Sequence, residues 1–365
     1  MLPLLLELHK TKGIETRLCV TAQHRELLDS CLTPFGIVPD YDLNLMMPGQ
    51  SLGELTARAL GGLEAVIKEA KPDWVLVHGD TSTTFVASLA AFYNGVKVGH
   101  VEAGLRTYDK TQPFPEEMNR KLTTALADVH FAPTELAREQ LLKENVPADS
   151  VFVTGNTAVD FIRCVTEATK EGYVFQNQEL RKAFELLEPD LPEPKNRRII
   201  LLTAHRRENW GQPIADICHA VAKLADDFPA LYFIYPMHPN PARDAAKDIL
   251  GGHERILLTE PLGSFDLISL MARCWLVLTD SGGLQEEAPA LNKPVVVLRE
   301  VTERPEGAAA GTLVLAGTNR ERVYQTVADL YADESRYAKM AEAENPFGDG
   351  YAAKRIVEAL LGAGK

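Results

Sequence analysis

Three carboxylates stand just after short apolar runs. Asp80 follows His78-Gly79, Glu102 follows His100-Val101, and Glu116 follows Phe114-Pro115. If those runs are buried strands, Asp80, Glu102 and Glu116 come from separate segments toward one edge, where they can move a proton to and from carbon. Glu116 alone reads as a helix-start residue favoured by the dipole, with Pro115 suited to the first turn. The set is more specific than any member. A second group is cationic: Thr203-Ala204-His205-Arg206-Arg207-Glu208-Asn209 puts one imidazole and two guanidinium groups where a departing diphosphate would accumulate charge. The plainer reading is a solvated basic turn.

A third segment is built for close backbone approach. In Thr279-Asp280-Ser281-Gly282-Gly283-Leu284-Gln285-Glu286-Glu287 the small residues let N–H groups meet an anion, and a helix start adds its positive end. A Gly-rich turn with Ser281 as N-cap explains the segment equally well. Glu287 tips the balance. A carboxylate beside a phosphate site is awkward unless it serves something else, and accepting from both hydroxyls of a ribose is a natural task. Neither G-x-G-x-x-G nor G-x-x-x-x-G-K-[ST] occurs, which removes most support for hydride transfer and nucleoside-triphosphate hydrolysis. Gln23-His24-Arg25 and His238 also follow apolar runs, and each alone reads as a structural polar contact. Asp40-Tyr41-Asp42 has the D-x-D spacing of metal-dependent sugar transferases, but Pro39 and Leu43 make it an ordinary turn, and no metal is assigned.

These residues need a scaffold that delivers strand ends to one rim. Apolar runs at 74–78, 97–101, 151–153, 199–202, 231–235, 256–258, 275–278 and 294–298 read as buried strands, with helical patterns such as 52–70, 134–144, 214–227 and 320–332 between them. Alternation of this kind implies an α/β class with parallel sheets covered on both faces, whose ligands bind beyond the carboxyl ends of the strands. At 365 residues the chain holds two cores. The polar, Pro-bearing stretch 188–198, after a charged helical pattern, reads as the linker, giving domains 1–172 and 173–350. A last helical pattern at 351–361 is expected to cross back onto the first domain, taking 351–365 with it. Trp74-Val-Leu-Val-His-Gly-Asp80 and Trp275-Leu-Val-Leu-Thr-Asp280 both end an apolar strand on an Asp, as two similar domains facing each other would.

Lys and Arg number 38 against 51 Asp and Glu, a net charge of −13, which argues against broad binding to nucleic acid or anionic membrane. The five cysteines are scattered with no zinc-ligand spacing. The apolar opening at 1–8 lacks a basic leader, and nothing approaches the ~20 apolar residues of a membrane span. These features point to a reduced, cytoplasmic protein.

Taken in order, Val20-Thr-Ala-Gln-His-Arg25, Val77-His-Gly-Asp80, His100-Val-Glu-Ala-Gly-Leu-Arg106, Pro115-Glu-Glu117, Thr154-Gly-Asn156, His205-Arg-Arg-Glu208, Thr279-Asp-Ser-Gly-Gly283 and Thr302-Glu-Arg-Pro-Glu306 closely resemble the non-hydrolysing UDP-N-acetylglucosamine 2-epimerases of bacterial type, relatives of the GT-B glycosyltransferases. The resemblance covers nearly the whole chain. It implies two Rossmann-like domains with the active site in the interdomain cleft, and C2 epimerisation of UDP-N-acetylglucosamine to UDP-N-acetylmannosamine through anti elimination of UDP and its re-addition. No cofactor is implied. Position by position, it makes Asp80, Glu102 and Glu116 the acid/base candidates and gives His205 the diphosphate. It also puts Ser281, Gly282 and Gly283 on the phosphates, Glu287 on the ribose, and Arg120 among the substrate-binding residues. A second UDP-N-acetylglucosamine acting as activator would contact Gln23, Gln50, Arg206 and His238. A homodimer and a role in cell-surface polysaccharide supply are further implications. The family opens with a strand and a Gly-Thr-Arg-Pro-Glu loop followed by a Lys; residues 1–8 here align inside the first helix, so that strand and loop are expected to be missing. A GT-B glycosyltransferase, a hydrolysing epimerase, or an inactive nucleotide-sugar-binding fragment are the competing readings.

Overall fold

Alternation along adjacent runs decides how the first sheet is covered. In the computed structural model, which describes residues 1–21, 28, 32–47, 49–170, 172–187 and 197–363, Trp74–His78 (β3) pairs in parallel with Lys97–Val101 (β4). Val75 and Val77 point to one face, where they meet helices Leu52–Ala70 and Ser82–Tyr93 through Leu63, Ile67, Val86 and Ala90. Trp74 and Leu76 point to the other, where Leu4, Leu8, Ile356 and Leu360 gather. Period-2 side-chain geometry thus buries both faces, as parallel sheets require. The sheet continues through Val129–Ala132 (β5) to Val151–Val153 (β6), all parallel. Cys19–Val20 (β1) and Tyr41–Asp42 (β2) form a separate parallel pair.

These elements form one compact unit, Met1–Phe161 with Phe347–Lys365. The return of the chain has a specific anchor. Asp160, 1% exposed, accepts the backbone N–H groups of Ala352 and Ala353 at 3.0 and 2.8 Å, capping the final helix Ala352–Ala363, and Asn156 N–H donates to Phe347 O at 2.7 Å. That helix then packs on Leu2–Lys10 and the sheet through Ile356 and Leu360.

The second unit, Ile162–Pro346, is a six-stranded parallel sheet. Its strands are Arg198–Thr203 (β7), Leu231–Pro236 (β8), Ile256–Thr259 (β9), Leu276–Thr279 (β10), Val295–Val297 (β11) and Leu313–Leu315 (β12), in spatial order β9-β8-β7-β10-β11-β12. This is the doubly wound Rossmann order, with strand order reversing between β7 and β10. Ile200, Leu202, Phe233, Leu276 and Leu278 are fully or nearly fully buried beneath helices Gln212–Asp227 and Arg320–Ala332. The sheet direction therefore delivers the residues after Thr203 and Thr279 to the switch point.

Two expectations need amending. The units divide at 161/162 and 346/347, where the sequence reading set 172 and 350: packing cuts inside helix Thr157–Ala168, which carries no compositional break. Residues 188–196 of the expected linker lie outside the described residues. The D-x-D segment is not a turn, because Tyr41–Asp42 is β2 and Asp40 is held beside it by Arg17 Nη1 at 3.0 Å and by the Leu18 N–H at 2.7 Å. Among the described residues no helix is long and apolar enough to cross a membrane.

Candidate active site

In the first unit, β3 and β4 end side by side, His78 opposite Val101, so that the turns carrying Asp80 and Glu102 lie next to each other. Gly79 has φ +68° and Glu102 φ +61°, both left-handed. A side chain on Gly79 would put its Cβ 3.3 Å from Glu102 Oε2, so glycine leaves room for that carboxylate as well as permitting the turn. His78 Nε2 lies 3.3 Å from Glu102 Oε2 and 3.4 Å from Thr157 Oγ1. Burial holds the His78 imidazole well below its ordinary pKa, so it faces Glu102 as a neutral ring.

Helix Glu116–Leu126 is latched to the Asp80 turn. Arg120 donates through Nε and Nη2 to Asp80 Oδ2 at 3.0 and 2.7 Å, and Asn119 Nδ2 donates to Asp80 O at 2.9 Å. Arg120 Nη1 also reaches Glu117, whose fully buried carboxylate accepts the N–H groups of Thr107 and Tyr108 at 3.1 Å each. Glu117 therefore shapes the loop before the helix. Glu116, the first helical residue, is half-buried and takes no part in these bonds.

Two conspicuous motif residues are structural. His100 donates through Nε2–H at 2.8 Å to Gly79 O, and burial lowers its pKa to about 3. The buried Arg106 forms a two-point pair with Glu144, at 2.9 and 2.8 Å, and adds Thr124 Oγ1 and its neighbour's carbonyl. That hydrogen-bonded pairing holds the Glu144 carboxyl below its usual range.

In the second unit a cavity of about 560 Å³ opens at the switch between β7 and β10, lined by His205, the cationic Arg206, Arg207 and Arg304, the acidic Glu208 and Glu303, and the small Ser281, Gly282 and Gly283. A Cβ on Gly282 would meet Arg206 Nη2 at 3.5 Å and Arg304 Nη2 at 4.0 Å, so two guanidinium groups stand over bare backbone. Ser281 occupies the N-cap position of the short helix Gly282–Glu287, yet its hydroxyl makes no capping bond. The plain N-cap reading of Ser281 therefore does not hold. Arg304 Nε pairs with the buried Glu286, and Thr302 Oγ1 bridges Gln285 to the Arg304 N–H. Glu287 is half-buried, and burial, then the Glu286 charge, push its pKa up to about 7.

Asp280, fully buried, organises the β7 side: its Oδ2 accepts the N–H groups of His205 and Arg206 at 2.8 and 2.9 Å and Asn209 Nδ2 at 2.9 Å. Arg206 Nε donates to Asp280 O at 3.0 Å. His238 packs its ring 4.8 Å from that of His205, and burial lowers its pKa. Gln50 belongs to the first unit, where its side chain holds Met47 N–H and Arg58; Gln23 lies outside the described residues. Among the described residues no cluster of His, Cys, Asp and Glu has the geometry of a metal site.

The sequence model of the family described as UDP-N-acetylglucosamine 2-epimerase matches residues 6–361. The chain belongs to this epimerase family. It is 51% identical over 362 residues to the UDP-N-acetylglucosamine 2-epimerase of Bacillus subtilis, covering 99% of this chain and 91% of that one, and 48% identical over 361 residues to the Escherichia coli K12 protein, covering 99% and 94%. The crystal structure of the Neisseria meningitidis epimerase bound to UDP-GlcNAc superposes with a TM-score of 0.86 at 46% identity, covering 99% of this chain and 95% of that one. A Listeria monocytogenes structure, named as a putative member, gives 0.90 at 46%, covering 99% and 92%. The α/β architecture with parallel sheets is thus that of the GT-B-type epimerases.

Set against the epimerase family, the carboxylates Asp80 and Glu102 end neighbouring strands, and Glu116 begins the helix tied to Asp80. His78, Glu117, Asn119, Asp280 and Arg304 escaped sequence reasoning as site residues. Asp280 could have been found, because it is the Asp that ends the β10 run as Asp80 ends the β3 run.

Proposed function

We propose that the chain reversibly interconverts UDP-N-acetylglucosamine and UDP-N-acetylmannosamine. A C2 proton on a saturated sugar is barely acidic, so cleavage of the C1–O bond must run ahead. UDP departs with the bonding electrons, a carboxylate takes the C2 proton, and C1 and C2 become joined by a double bond in 2-acetamidoglucal. Re-addition of a diphosphate oxygen to C1 and of a proton to the opposite face of C2 completes the epimerisation. Asp80, Glu102 and Glu116 are the acid/base candidates, and their charge also favours the cationic sugar that forms as C1–O breaks. Arg120 fixes Asp80 and contributes to substrate binding.

The observation that carries this reading is the cationic pocket at the β7–β10 switch point, with His205, Arg206 and Arg304 around the bare backbone of Gly282 and Gly283. Such a pocket stabilises a leaving diphosphate more than a neutral sugar. Ser281, Gly282 and Gly283 then take the phosphates and Glu287 the ribose hydroxyls. The relatives' names and the UDP-GlcNAc complex of the Neisseria protein support the substrate. A second UDP-N-acetylglucosamine acting as activator, with Gln50, Arg206 and His238 as contacts alongside Gln23, a homodimer, and a supply role in cell-surface polysaccharide synthesis extend the proposal.

Incubation with UDP-N-acetylglucosamine in D2O, followed by NMR, tests it. The expected product is the manno epimer with deuterium at C2 and UDP retained. Free N-acetylmannosamine with stoichiometric UDP would point to a hydrolase. UDP release only with an added acceptor would point to a transferase, and binding without turnover to an inactive binder.

A further inference from the structure

Asp280 contributes two oxygens to the β7 side of the pocket, and they are used differently. Three donors converge on Oδ2: the backbone N–H groups of His205 and Arg206 and the side-chain amide of Asn209. Oδ1 makes no hydrogen bond among the described residues and lies 3.3 Å from Nδ1 of His205, a buried nitrogen that also lacks a partner. Two complementary polar atoms, shielded from water, face each other at 3.3 Å, close to hydrogen-bond distance but without the alignment of a formed bond. Such misalignment is common before a ligand tightens the site. The His205 side chain is nevertheless 34% exposed and lines the pocket, so the open part of the ring is the side bearing Nε2.

We infer that Asp280 is a positioning residue for His205, holding the proton on Nδ1 and presenting Nε2 to the diphosphate. This inference rests on the diphosphate role proposed for His205. With Nδ1–H committed to a carboxylate, the proton that the ring gains or loses sits on Nε2: the imidazolium donates it to the diphosphate oxygen as the C1–O bond breaks and is left as the neutral Nδ1–H ring. Asp280 offsets the positive charge of the imidazolium before that transfer, the division of labour that an acid–imidazole pair performs elsewhere. The other groups facing the ring are His238, at 4.8 Å between centroids, and Arg206, whose Nε is held by the Asp280 carbonyl. Neither supplies an acceptor for Nδ1 in its place.

The chemistry of Asp280→Asn makes the inference testable. The three donors at Oδ2 oblige the asparagine to put its carbonyl oxygen there, which preserves the loop. Its NH2 then occupies the Oδ1 position and donates toward His205 Nδ1, which must become the acceptor, and the ring switches to the Nε2–H tautomer. Imidazole 15N spectra of histidine-labelled protein, with His205 assigned by His205→Gln, read the tautomer without any turnover. The expected result is Nδ1–H in the parent and Nε2–H in Asp280→Asn, with kcat for the sugar nucleotide down ~10²-fold or more, KM little changed, and no further loss when Asp280→Asn is added to His205→Gln. An unchanged tautomer, or Nε2–H already in the parent, overturns the positioning role whatever the activity does. A switched tautomer with unaltered kcat refutes the link to the reaction, and with it the diphosphate role of His205. UDP affinity in Asp280→Asn checks the loop: an affinity near the parent's shows the backbone intact, whereas a large loss of affinity without the Nε2–H signal appearing would show that Asp280 only holds the backbone, and would overturn the inference.

Discussion

Replacing Glu287 by Gln separates a ribose-binding carboxylate from a half-buried acid with no ligand role. Burial and the neighbouring Glu286 charge raise the Glu287 pKa from 4.5 to about 7 in the free protein. If the carboxylate accepts both ribose hydroxyls, the ionised form is the one that binds, and the ligand must draw from that fraction. At pH 6 about one molecule in eleven is ionised and at pH 8 about ten in eleven, so affinity for UDP-N-acetylglucosamine should rise about tenfold across this window, worth ~1.4 kcal/mol. The sugar nucleotide is a diphosphate diester and does not titrate there, whereas free UDP does, so the sugar nucleotide is the ligand to use. Calorimetry at pH 6, 7 and 8 on parent and Glu287→Gln provides the assay; the Gln variant should bind more weakly than the parent at pH 8 and lose the tenfold rise. The same group has a stability signature of fixed sign. Between pH 4.5 and about 7 the folded protein keeps a proton that the unfolded chain has shed, so Glu287 makes the free protein less stable as pH rises through that range, by at most about 3 kcal/mol. Equal pH slopes of affinity in parent and variant would refute the ribose assignment; equal slopes of stability would refute the burial argument beneath it.

Other substitutions probe the first unit. Gly79→Ala adds a Cβ 3.3 Å from Glu102 Oε2 at a left-handed residue, so it should cost about 1–2 kcal/mol in urea unfolding and lower kcat by tenfold or more, on the order of a displaced catalytic group. Arg106→Met breaks the buried pair with Glu144 and should cost roughly 3–5 kcal/mol in urea unfolding while leaving kcat per folded molecule near the parent value. Asp160→Ala removes the acceptor for two N–H groups of the final helix; a loss of about 1–2 kcal/mol and faster hydrogen exchange across 352–360 are expected.

Much of this was legible in the sequence because buried parallel strands are continuous apolar runs: 74–78 and 97–101 coincide with β3 and β4, and 52–70 with a capped helix whose Ser51 and Glu54 form a capping box. The strand ends then locate Asp80, Glu102, His205 and the Gly282-Gly283 backbone by rule. What composition could not reveal was commitment. His78, Glu117 and Arg106 look uncommitted in sequence, but the fold brings them partners such as Thr157, Thr107 and Glu144. The 161/162 division was invisible for a similar reason: a continuous helix has no local signal where its packing changes hands. In the Asp40-Tyr41-Asp42 segment pairing with β1 overrode turn propensity, as tertiary context does for short strands.

The path of the chain through its two units has a consequence for synthesis. The second unit is one uninterrupted stretch, Ile162–Pro346, whereas the first cannot close its core until Phe347–Lys365 is made, because Asp160 and the Leu4–Leu8 surface wait for the final helix. On a ribosome adding residues from the amino end, the domain that begins first is therefore finished last, reversing the usual vectorial order. Until then the apolar face carrying Leu4, Leu8, Val101 and Phe131 lacks the cover of Ile356, Val357 and Leu360, the kind of exposed surface through which incomplete chains aggregate.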